Sequence, residues 1–197
     1  MKRLLVVLSV VILAGCTVAP PRPSDGGRSV ELAQWQVPSA PRKWSLDGRA
    51  AIRVGDDGGT MSVRWRADGG DYRLDMSGAL GAGAVRLEGD DAGVTLRTRD
   101  GRRARASSAR ALLRRETGYD LPVAYLRWWV RGLPAPGVDG EVRLNGDEHA
   151  SELRQAGWTV TYGKYRSVGR YRLPARLSVE GDGVSVRLAV RRWEVDV

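Results

Sequence analysis

Few residues of this chain have the side chains that nucleophilic or metal-assisted catalysis requires. Cys16 is the single cysteine and His149 the single histidine, so no Cys–His pair or zinc cluster is expected. His149 follows two acidic residues in a polar stretch, which is typical of a solvated loop. Gly163-Lys164 lacks the preceding glycines and the following Ser or Thr of a phosphate-binding loop. The sequence therefore predicts no catalytic residue, no metal site and a binding protein rather than an enzyme.

Cys16 stands at the end of an N-terminal segment typical of an export signal. Residues 2 and 3 are basic, residues 4–14 form an apolar run, and residues 13–16 read Leu-Ala-Gly-Cys. The run is shorter than the about 20 residues needed to cross a bilayer, which favours a secretory signal peptide over residues 1–15. Leu-Ala-Gly-Cys resembles the lipobox of bacterial lipoproteins. This resemblance implies a diacylglycerol and an N-acyl chain on Cys16, with no other cofactor; the alternative is an ordinary signal followed by an unmodified cysteine.

The chain is strongly basic, with a formal net charge of +9. In a cytoplasmic protein this charge would indicate nucleic acid as a partner, but the export signal argues against that. Anionic lipid headgroups and an acidic partner are the remaining candidates. The Arg-rich stretch Arg97–Arg105 is predicted to be a solvated hairpin.

The proline pattern and the strand pattern divide the chain after the signal into two parts. Residues 16–43 hold five of the nine prolines, which predicts an extended tether, with one short helix over residues 30–36. From residue 44 onward apolar and polar residues alternate, and Asp- and Gly-rich turns interrupt the runs roughly every ten residues. This pattern predicts one domain over residues 44–197, built on a large antiparallel sheet with one apolar face.

The middle of the chain interrupts the strand pattern with two predicted helices. Ser107 or Ser108 is suited to cap a helix that ends near Thr117. Pro122 suits the first turn of a second helix, which ends at Gly132. Both an α+β sandwich and an incompletely closed barrel are consistent with one sheet and two covering helices.

The segment from Gly78 to Gly83 consists of glycines and alanines around Leu80. Hairpin tips are normally polar, so Leu80 either folds back onto the sheet or acts as an apolar probe for a membrane or a partner. Transfer of one leucine from water contributes at most about 1.5–3 kcal/mol. That is too little to anchor the protein but enough to favour a transient encounter.

Aromatic residues recur at the apolar positions of the predicted strands and helices. Each fits a core position, and together they could line a cavity for acyl chains. The residues concerned are Trp65, Trp129, Trp158 and Trp193, with Tyr72 and Tyr162.

Several short motifs occur in a fixed order along residues 44–197. They read Trp44-Ser-Leu-Asp-Gly-Arg, Asp71-Tyr-Arg-Leu, Ala79-Leu-Gly, Leu126-Arg-Trp-Trp-Val-Arg-Gly and Gly157-Trp-Thr-Val-Thr-Tyr-Gly. Together with the lipobox they resemble the outer-membrane lipoprotein receptor family LolB.

The resemblance implies an α+β fold: a curved, incompletely closed antiparallel β-barrel with helices covering an apolar cavity. It implies a receptor, lipid-anchored at the periplasmic face of the outer membrane, that accepts lipoproteins from a soluble periplasmic carrier. The receptor would insert them into the inner leaflet of the outer membrane without nucleotide hydrolysis. The implied partners are the carrier, the acyl chains of the cargo and outer-membrane phospholipid; we expect a monomer that binds no nucleic acid.

The resemblance also assigns expected roles to single residues. Leu80 matches a protruding apolar residue that the family uses in the delivery step. The cavity tryptophans of the family map onto Trp65, Trp129 and Trp158.

Two other functions remain open from the sequence. One is a lipid-anchored periplasmic module that binds another amphiphile, such as a glycolipid or a fatty acid. The other is an envelope-assembly scaffold with a filled interior, whose basic face binds an acidic partner.

Overall fold

An antiparallel sheet of twelve strands forms most of the described chain. The structure is a computed structural model that describes residues 27–78, 83–90, 92–117 and 121–196. The elements in chain order are β1 Ser29–Glu31, a 3₁₀ helix Leu32–Gln34, β2 Lys43–Val54, β3 Asp57–Asp68, β4 Asp71–Ser77, β5 Val85–Gly89, β6 Val94–Thr98, β7 Arg103–Ala106, α1 Ala109–Thr117, α2 Val123–Trp129, β8 Gly140–Leu144, β9 Ala150–Gln155, β10 Trp158–Tyr162, β11 Tyr165–Val168, β12 Tyr171–Pro174, β13 Arg176–Gly181 and β14 Val184–Val195.

The strand order leaves the sheet open. It runs β1-β8-β9-β10-β13-β14-β2-β3-β4-β5-β6-β7, and β11 pairs with β12 in a separate hairpin. Within the described residues, β1 and β7 each have one neighbouring strand, so the two ends of the order do not pair. One face of the sheet carries the buried core, and α1 and α2 cover it. The predicted fold, an incompletely closed antiparallel barrel covered by helices, is confirmed.

The register of the long central strands explains the alternating sequence. Leu46 of β2 faces Trp65 of β3 across the ladder, and both side chains are buried. Asp47, one residue on, points to the other face, where Arg64 and Arg192 each donate a hydrogen bond of 3.0 Å to its carboxylate. A period of two thus sends apolar side chains to the core and ion pairs to the outer face.

Both predicted helices are present. The Ser108 hydroxyl accepts a 3.2 Å hydrogen bond from the backbone N–H of Ala111, so Ser108 caps α1. Leu112 and Leu113 of α1 are buried against the sheet. Pro122 precedes α2, and Gly132 has a φ of +81°, a left-handed conformation that suits glycine at a helix end.

The tether predicted over residues 16–43 is packed against the sheet in its later part. Ser29–Glu31 pairs with β8, and the predicted helix over residues 30–36 is a 3₁₀ turn of three residues. Trp35 is 7% exposed and donates from its indole N–H to the carbonyl of Glu148 at 3.3 Å. A strand added at the sheet edge and one buried tryptophan explain why this segment packs despite its prolines. The predicted signal peptide and Cys16 lie outside the described residues.

Candidate functional site

An apolar cavity lies between the sheet and the two helices. Its volume is about 60 Å³, and every residue that lines it is apolar. The sheet forms the floor of the cavity through β2, β3, β4, β13 and β14, and the helices with Leu121 form the roof. The lining residues are Ala50, Ile52, Met61, Val63, Trp65, Leu74, Met76, Leu113, Leu121, Val123, Leu126, Val130, Leu177, Val179, Val186 and Leu188.

A second space of about 280 Å³ adjoins this cavity at one end of the strands. We call it the mouth; it is lined by Ile52, Val54, Asp57, Gly58, Gly59, Met61, Met76, Gly78, Gly83, Val85, Leu113 and Leu121. Five residues line both spaces: Ile52, Met61 and Met76 of the floor, and Leu113 and Leu121 of the roof. Gly78 and Gly83 flank the segment that contains Leu80. Leu80 itself lies outside the described residues.

Trp65 is the aromatic residue that lines the cavity, and its indole N–H is unusual. Its side chain is 3% exposed. Among the described residues, its Nε1 is the one buried side-chain nitrogen or oxygen without a hydrogen-bond partner. The ring of Trp44 packs against Trp65 and against Trp193 at the same centroid distance, 5.6 Å. Trp193 differs because its Nε1 donates to the carbonyl of Pro174 at 2.9 Å.

Trp129 and Tyr162 are buried in a hydrogen-bonded cluster outside the cavity lining. The Trp129 indole N–H donates to Gln155 Oε1 at 3.0 Å, and the Tyr162 hydroxyl donates to the Trp129 carbonyl at 3.0 Å. Burial raises the pKa of Tyr162 well above its usual value, and the neighbouring Tyr165 makes a smaller contribution in the same direction. Gln155 also binds the N–H and the carbonyl of Ala135. This cluster fixes the C-terminal end of α2 to β9 and β10.

Trp158 and Tyr72 pack against glycines. A Cβ on Gly181 would lie 2.8 Å from the Trp158 ring, and one on Gly89 would lie 2.6 Å from the Tyr72 ring, so any larger residue would displace these rings. Trp158 does not line the cavity. Tyr72 lines an open groove of about 1,210 Å³ at the opposite end of the strands from the mouth, among side chains of both charges.

Arg131 links α2 to the chain that leads into β2. It is 9% exposed, donates to the carbonyl of Pro41 at 3.0 Å and lies over the Trp128 ring at 4.7 Å from the centroid. Desolvation, helped by the positive charge of Arg127, lowers the pKa of Arg131 to about 10. Trp128 therefore has a packing role as the aromatic partner of a buried cation.

The structure thus separates the predicted site residues. Trp65 lines the cavity, while Trp129, Trp158 and Tyr162 lie in the core beside it and Tyr72 faces the groove. His149 lies in the loop between β8 and β9, as predicted, with its ring against Tyr165. Within the described part of the chain, no group of His, Cys, Asp and Glu side chains could hold a metal ion.

Sequence reasoning missed the aliphatic residues that form most of the cavity. It weighted aromatic side chains, although the floor is largely Ile, Val, Leu and Met and the roof is aliphatic. The signal was present in two patterns. The inward positions of β2, β3 and β4 alternate strictly, and Val123, Leu126 and Val130 share one face of α2.

Comparisons with known proteins agree with this architecture. The sequence profile of the family described as "Outer membrane lipoprotein LolB" matches residues 42–193. The outer-membrane lipoprotein LolB of Ectopseudomonas mendocina (strain ymp) is 36% identical over 198 residues, which cover 98% of this chain and 97% of the relative. The protein of the same name from Alkalilimnicola ehrlichii is 38% identical over 196 residues, covering 98% of this chain and 97% of the relative.

A solved structure shares the fold at low sequence identity. It is a domain from Vibrio parahaemolyticus described as an outer membrane lipoprotein-sorting protein, with a TM-score of 0.53 and 11% identity over 79% of this chain and 86% of that one. The family match spans most of the chain, and the relatives exceed 30% identity over nearly their full length. This chain therefore belongs to the outer-membrane lipoprotein LolB family.

Proposed function

We propose that this protein is a receptor in lipoprotein localisation, which accepts lipoproteins from a soluble periplasmic carrier and inserts them into the inner leaflet of the outer membrane. The acyl chains of the cargo bind between the sheet and the two helices. Acyl chains on Cys16 anchor the receptor at the periplasmic face of the membrane, and Leu80 assists the delivery step. No nucleotide is hydrolysed, so cargo moves down a gradient of affinity from carrier to receptor to bilayer.

The observation that carries this proposal is the all-apolar lining of the cavity. A hydrocarbon chain needs a site without polar groups, since each unpaired polar group buried against it would disfavour binding. The cavity meets this requirement with residues from five strands and from the helical roof. Its mouth opens at the end of the strands where Gly78 and Gly83 flank the Leu80 segment. We therefore propose that entry and delivery occur at the same end of the barrel.

The volumes indicate that the roof must move when cargo binds. Ligand pockets usually measure about 300–1,000 Å³, whereas the cavity measures about 60 Å³ and the mouth about 280 Å³. Leu113 of α1 and Leu121 are the roof residues that line both spaces. Displacement of α1 from the floor would join the two spaces into one site of the size that an acyl chain requires, and the fixed end of α2 at Gln155 would remain in place.

Trp65 lines the cavity through its ring, and we propose that its buried N–H is a donor for the cargo once the roof has moved. An acyl chain is joined to its lipoprotein through an ester or amide carbonyl, which accepts a hydrogen bond. Nε1 of Trp65 is a buried donor without a partner in the described chain, and leaving such a donor unpaired costs about 1–3 kcal/mol. A carbonyl of the bound cargo would remove that penalty.

A transfer assay tests the proposal. A lipoprotein bound to its soluble carrier is mixed with acceptor vesicles that carry this protein, and insertion of the lipoprotein is measured by flotation. We expect insertion without added ATP, and we expect depletion of the protein in cells to leave lipoproteins in the periplasm. Failure of a fluorescent fatty acid to bind the purified protein would refute the acyl-chain site.

A further inference from the structure

The positive charge of the protein is concentrated in one short stretch beside the mouth. Residues 97–115 contain eight arginines and one carboxylate, Asp100. This stretch, which we call the basic segment, thus carries +7 of the formal net charge of +9. It comprises the end of β6, the β6–β7 hairpin, β7 and most of α1. The rest of the chain is close to neutral. Within the segment, Arg97 and Arg103 lie on the outer face of the sheet, whereas the arginines of α1 belong to the helix that covers the core face.

Hydrogen bonding and packing place the basic segment at the mouth. The backbone N–H of Arg99, at the hairpin tip, donates to the carbonyl of Ala84 at 3.1 Å. Ala84 directly follows Gly83, which lines the mouth. The same tip and residues 83–85 line a common recess, to which Arg99 and Arg102 both contribute. Arg99 and Arg102 of the hairpin tip therefore lie beside the opening through which acyl chains would leave, whereas Arg97 and Arg105 also line the groove.

The outer face of the sheet carries three arginines in succession next to this opening. Arg86 of β5 faces Arg97 of β6, and Arg97 faces Arg103 of β7. Like charges directly opposite each other on neighbouring strands destabilise a sheet. Two carboxylates lie near the row: Asp75 pairs with Arg86, and Glu88 is shared between Arg73 at 2.6 Å and Arg97 at 3.7 Å. The row thus retains an excess of positive charge that an external anion would neutralise.

We propose that the basic segment binds the phosphate groups of anionic phospholipids, so that the mouth is held against the membrane surface. Guanidinium groups bind phosphate with paired hydrogen bonds, and a leaflet presents phosphates in a plane around the tails. Phospholipid is favoured over an acidic protein because arginines of the hairpin tip lie beside an apolar opening, and a bilayer offers anionic headgroups and an apolar interior side by side. The inference rests on the proposed function and adds the headgroup chemistry that orients the receptor.

The test uses the full, lipidated chain anchored in vesicles. The anchor keeps the protein on the vesicle, so the measured quantity is the approach of the folded domain to the surface. Energy transfer from the tryptophans to a dansyl group on a lipid headgroup reports that approach. Vesicles of phosphatidylcholine alone are compared with vesicles containing roughly 30% phosphatidylglycerol. We expect stronger transfer with phosphatidylglycerol, and its loss in about 0.5 M salt because salt screens the contacts.

The variant Arg97→Gln/Arg103→Gln removes two charges of the row. An arginine near an anionic surface strengthens binding roughly fivefold. We therefore expect the docking constant, which is the equilibrium constant for contact between the folded domain and the phosphatidylglycerol-containing surface, to fall about 30-fold. Arg97→Lys/Arg103→Lys keeps the charge and should retain most of the docking. The matched control is Arg176→Gln/Arg187→Gln, which removes two exposed arginines of β13 and β14, on the other side of the β2–β5 strands from β6 and β7. Thermal melting should show no loss of stability in the Arg97→Gln/Arg103→Gln variant.

Three results of the docking measurement would overturn the inference. These are equal energy transfer with and without phosphatidylglycerol, an unchanged docking constant in the Arg97→Gln/Arg103→Gln variant, or an equal loss in the control. If the Arg97→Gln/Arg103→Gln variant docks normally but no longer binds the soluble carrier, the inference is also overturned and the segment binds an acidic protein instead. Binding of a fluorescent fatty acid is measured in parallel. If the fatty acid does not bind, the proposed function is contradicted. Docking that depends on phosphatidylglycerol would in that case still support the inference that the basic segment binds anionic phospholipid.

Discussion

The free indole N–H of Trp65 leads to a prediction about stability that opposes the usual effect of truncating a core tryptophan. Trp65 and Trp193 are both buried and both pack at 5.6 Å from Trp44. They differ in hydrogen bonding, since Trp193 donates to Pro174 whereas Nε1 of Trp65 has no partner in the described chain. Trp65→Phe and Trp193→Phe therefore form a matched pair that isolates the contribution of the unpaired donor.

The expected magnitudes follow from two opposing effects. Replacing Trp by Phe removes apolar contacts worth about 2 kcal/mol, at roughly 0.8 kcal/mol per buried CH₂-sized group. At position 65 the change also removes a buried unpaired donor, whose penalty is about 1–3 kcal/mol. The net change in unfolding free energy should therefore lie within about 1 kcal/mol of zero. At position 193 the change breaks a hydrogen bond and leaves the Pro174 carbonyl unpaired, so the loss should reach about 3 kcal/mol.

Urea unfolding followed by far-ultraviolet circular dichroism measures both values without relying on tryptophan fluorescence. The same variants are then tested for ligand binding, with methyl palmitate and hexadecane as competitors of a fluorescent fatty acid. Trp65→Phe should weaken the binding of methyl palmitate about fivefold, which corresponds to the loss of one hydrogen bond of about 1 kcal/mol. The binding of hexadecane, which has no carbonyl, should not change. Equal destabilisation by the two substitutions would refute the reasoning about the free donor. Equal effects on the two competitors would refute its role in cargo binding.

Three further predictions concern other parts of the molecule. Leu80→Glu should leave acyl-chain binding intact and block insertion in the vesicle transfer assay. Gln155→Leu should lower the unfolding free energy by about 2–4 kcal/mol, because it leaves several buried groups of the α2 cluster unpaired. Burial by itself raises the pKa of Asp47, but hydrogen bonds from Arg64 and Arg192 outweigh it and hold the pKa below its usual value of 3.8. Asp47 therefore stabilises the fold above about pH 4 and loses this effect as the pH falls through its folded-state pKa, so the stability gap between wild type and Asp47→Asn should narrow in acid-denaturation curves.

Matched controls accompany the first two of these predictions. Val37→Glu introduces the same charge at an apolar side chain that is 45% exposed, and it should leave insertion unchanged. Gln34→Leu alters an exposed glutamine, so its effect on stability should stay within about 0.5 kcal/mol. Blocked insertion in Val37→Glu would show that any added acidic residue interferes, which contradicts a specific role for Leu80.

The local pattern of the chain was sufficient to predict the two α-helices and the alternating strands of the sheet. Ser108 and Pro122 precede helices, and the alternation around Leu46 and Trp65 gives a sheet with one buried face, because such features act over a few residues. The packing of Ser29–Glu31 onto β8 joins residues more than a hundred positions apart. No local pattern specifies such a contact, and the prolines around it indicated an extended chain.

The cavity was harder to predict than the fold. Trp65, Trp129 and Trp158 all occupy apolar positions, and their sequence context does not show which ring faces an open space. The distinction depends on tertiary hydrogen bonds, such as the one from Trp129 to Gln155. A lone buried glutamine has no recognisable sequence pattern. The concentration of charge in residues 97–115 was visible in the sequence, but its position beside the mouth required the contact between Arg99 and Ala84.

The unpaired ends of the strand order have a mechanical consequence. A closed barrel has a fixed circumference, because widening it would break the hydrogen bonds of at least one pair of strands. Here β1 and β7 lie at opposite ends of the order, and neither bonds to the other. The curvature of the sheet can therefore relax as a guest fills the interior, with every ladder intact. If acyl chains bind as proposed, such a sheet would widen for them without breaking a strand pair.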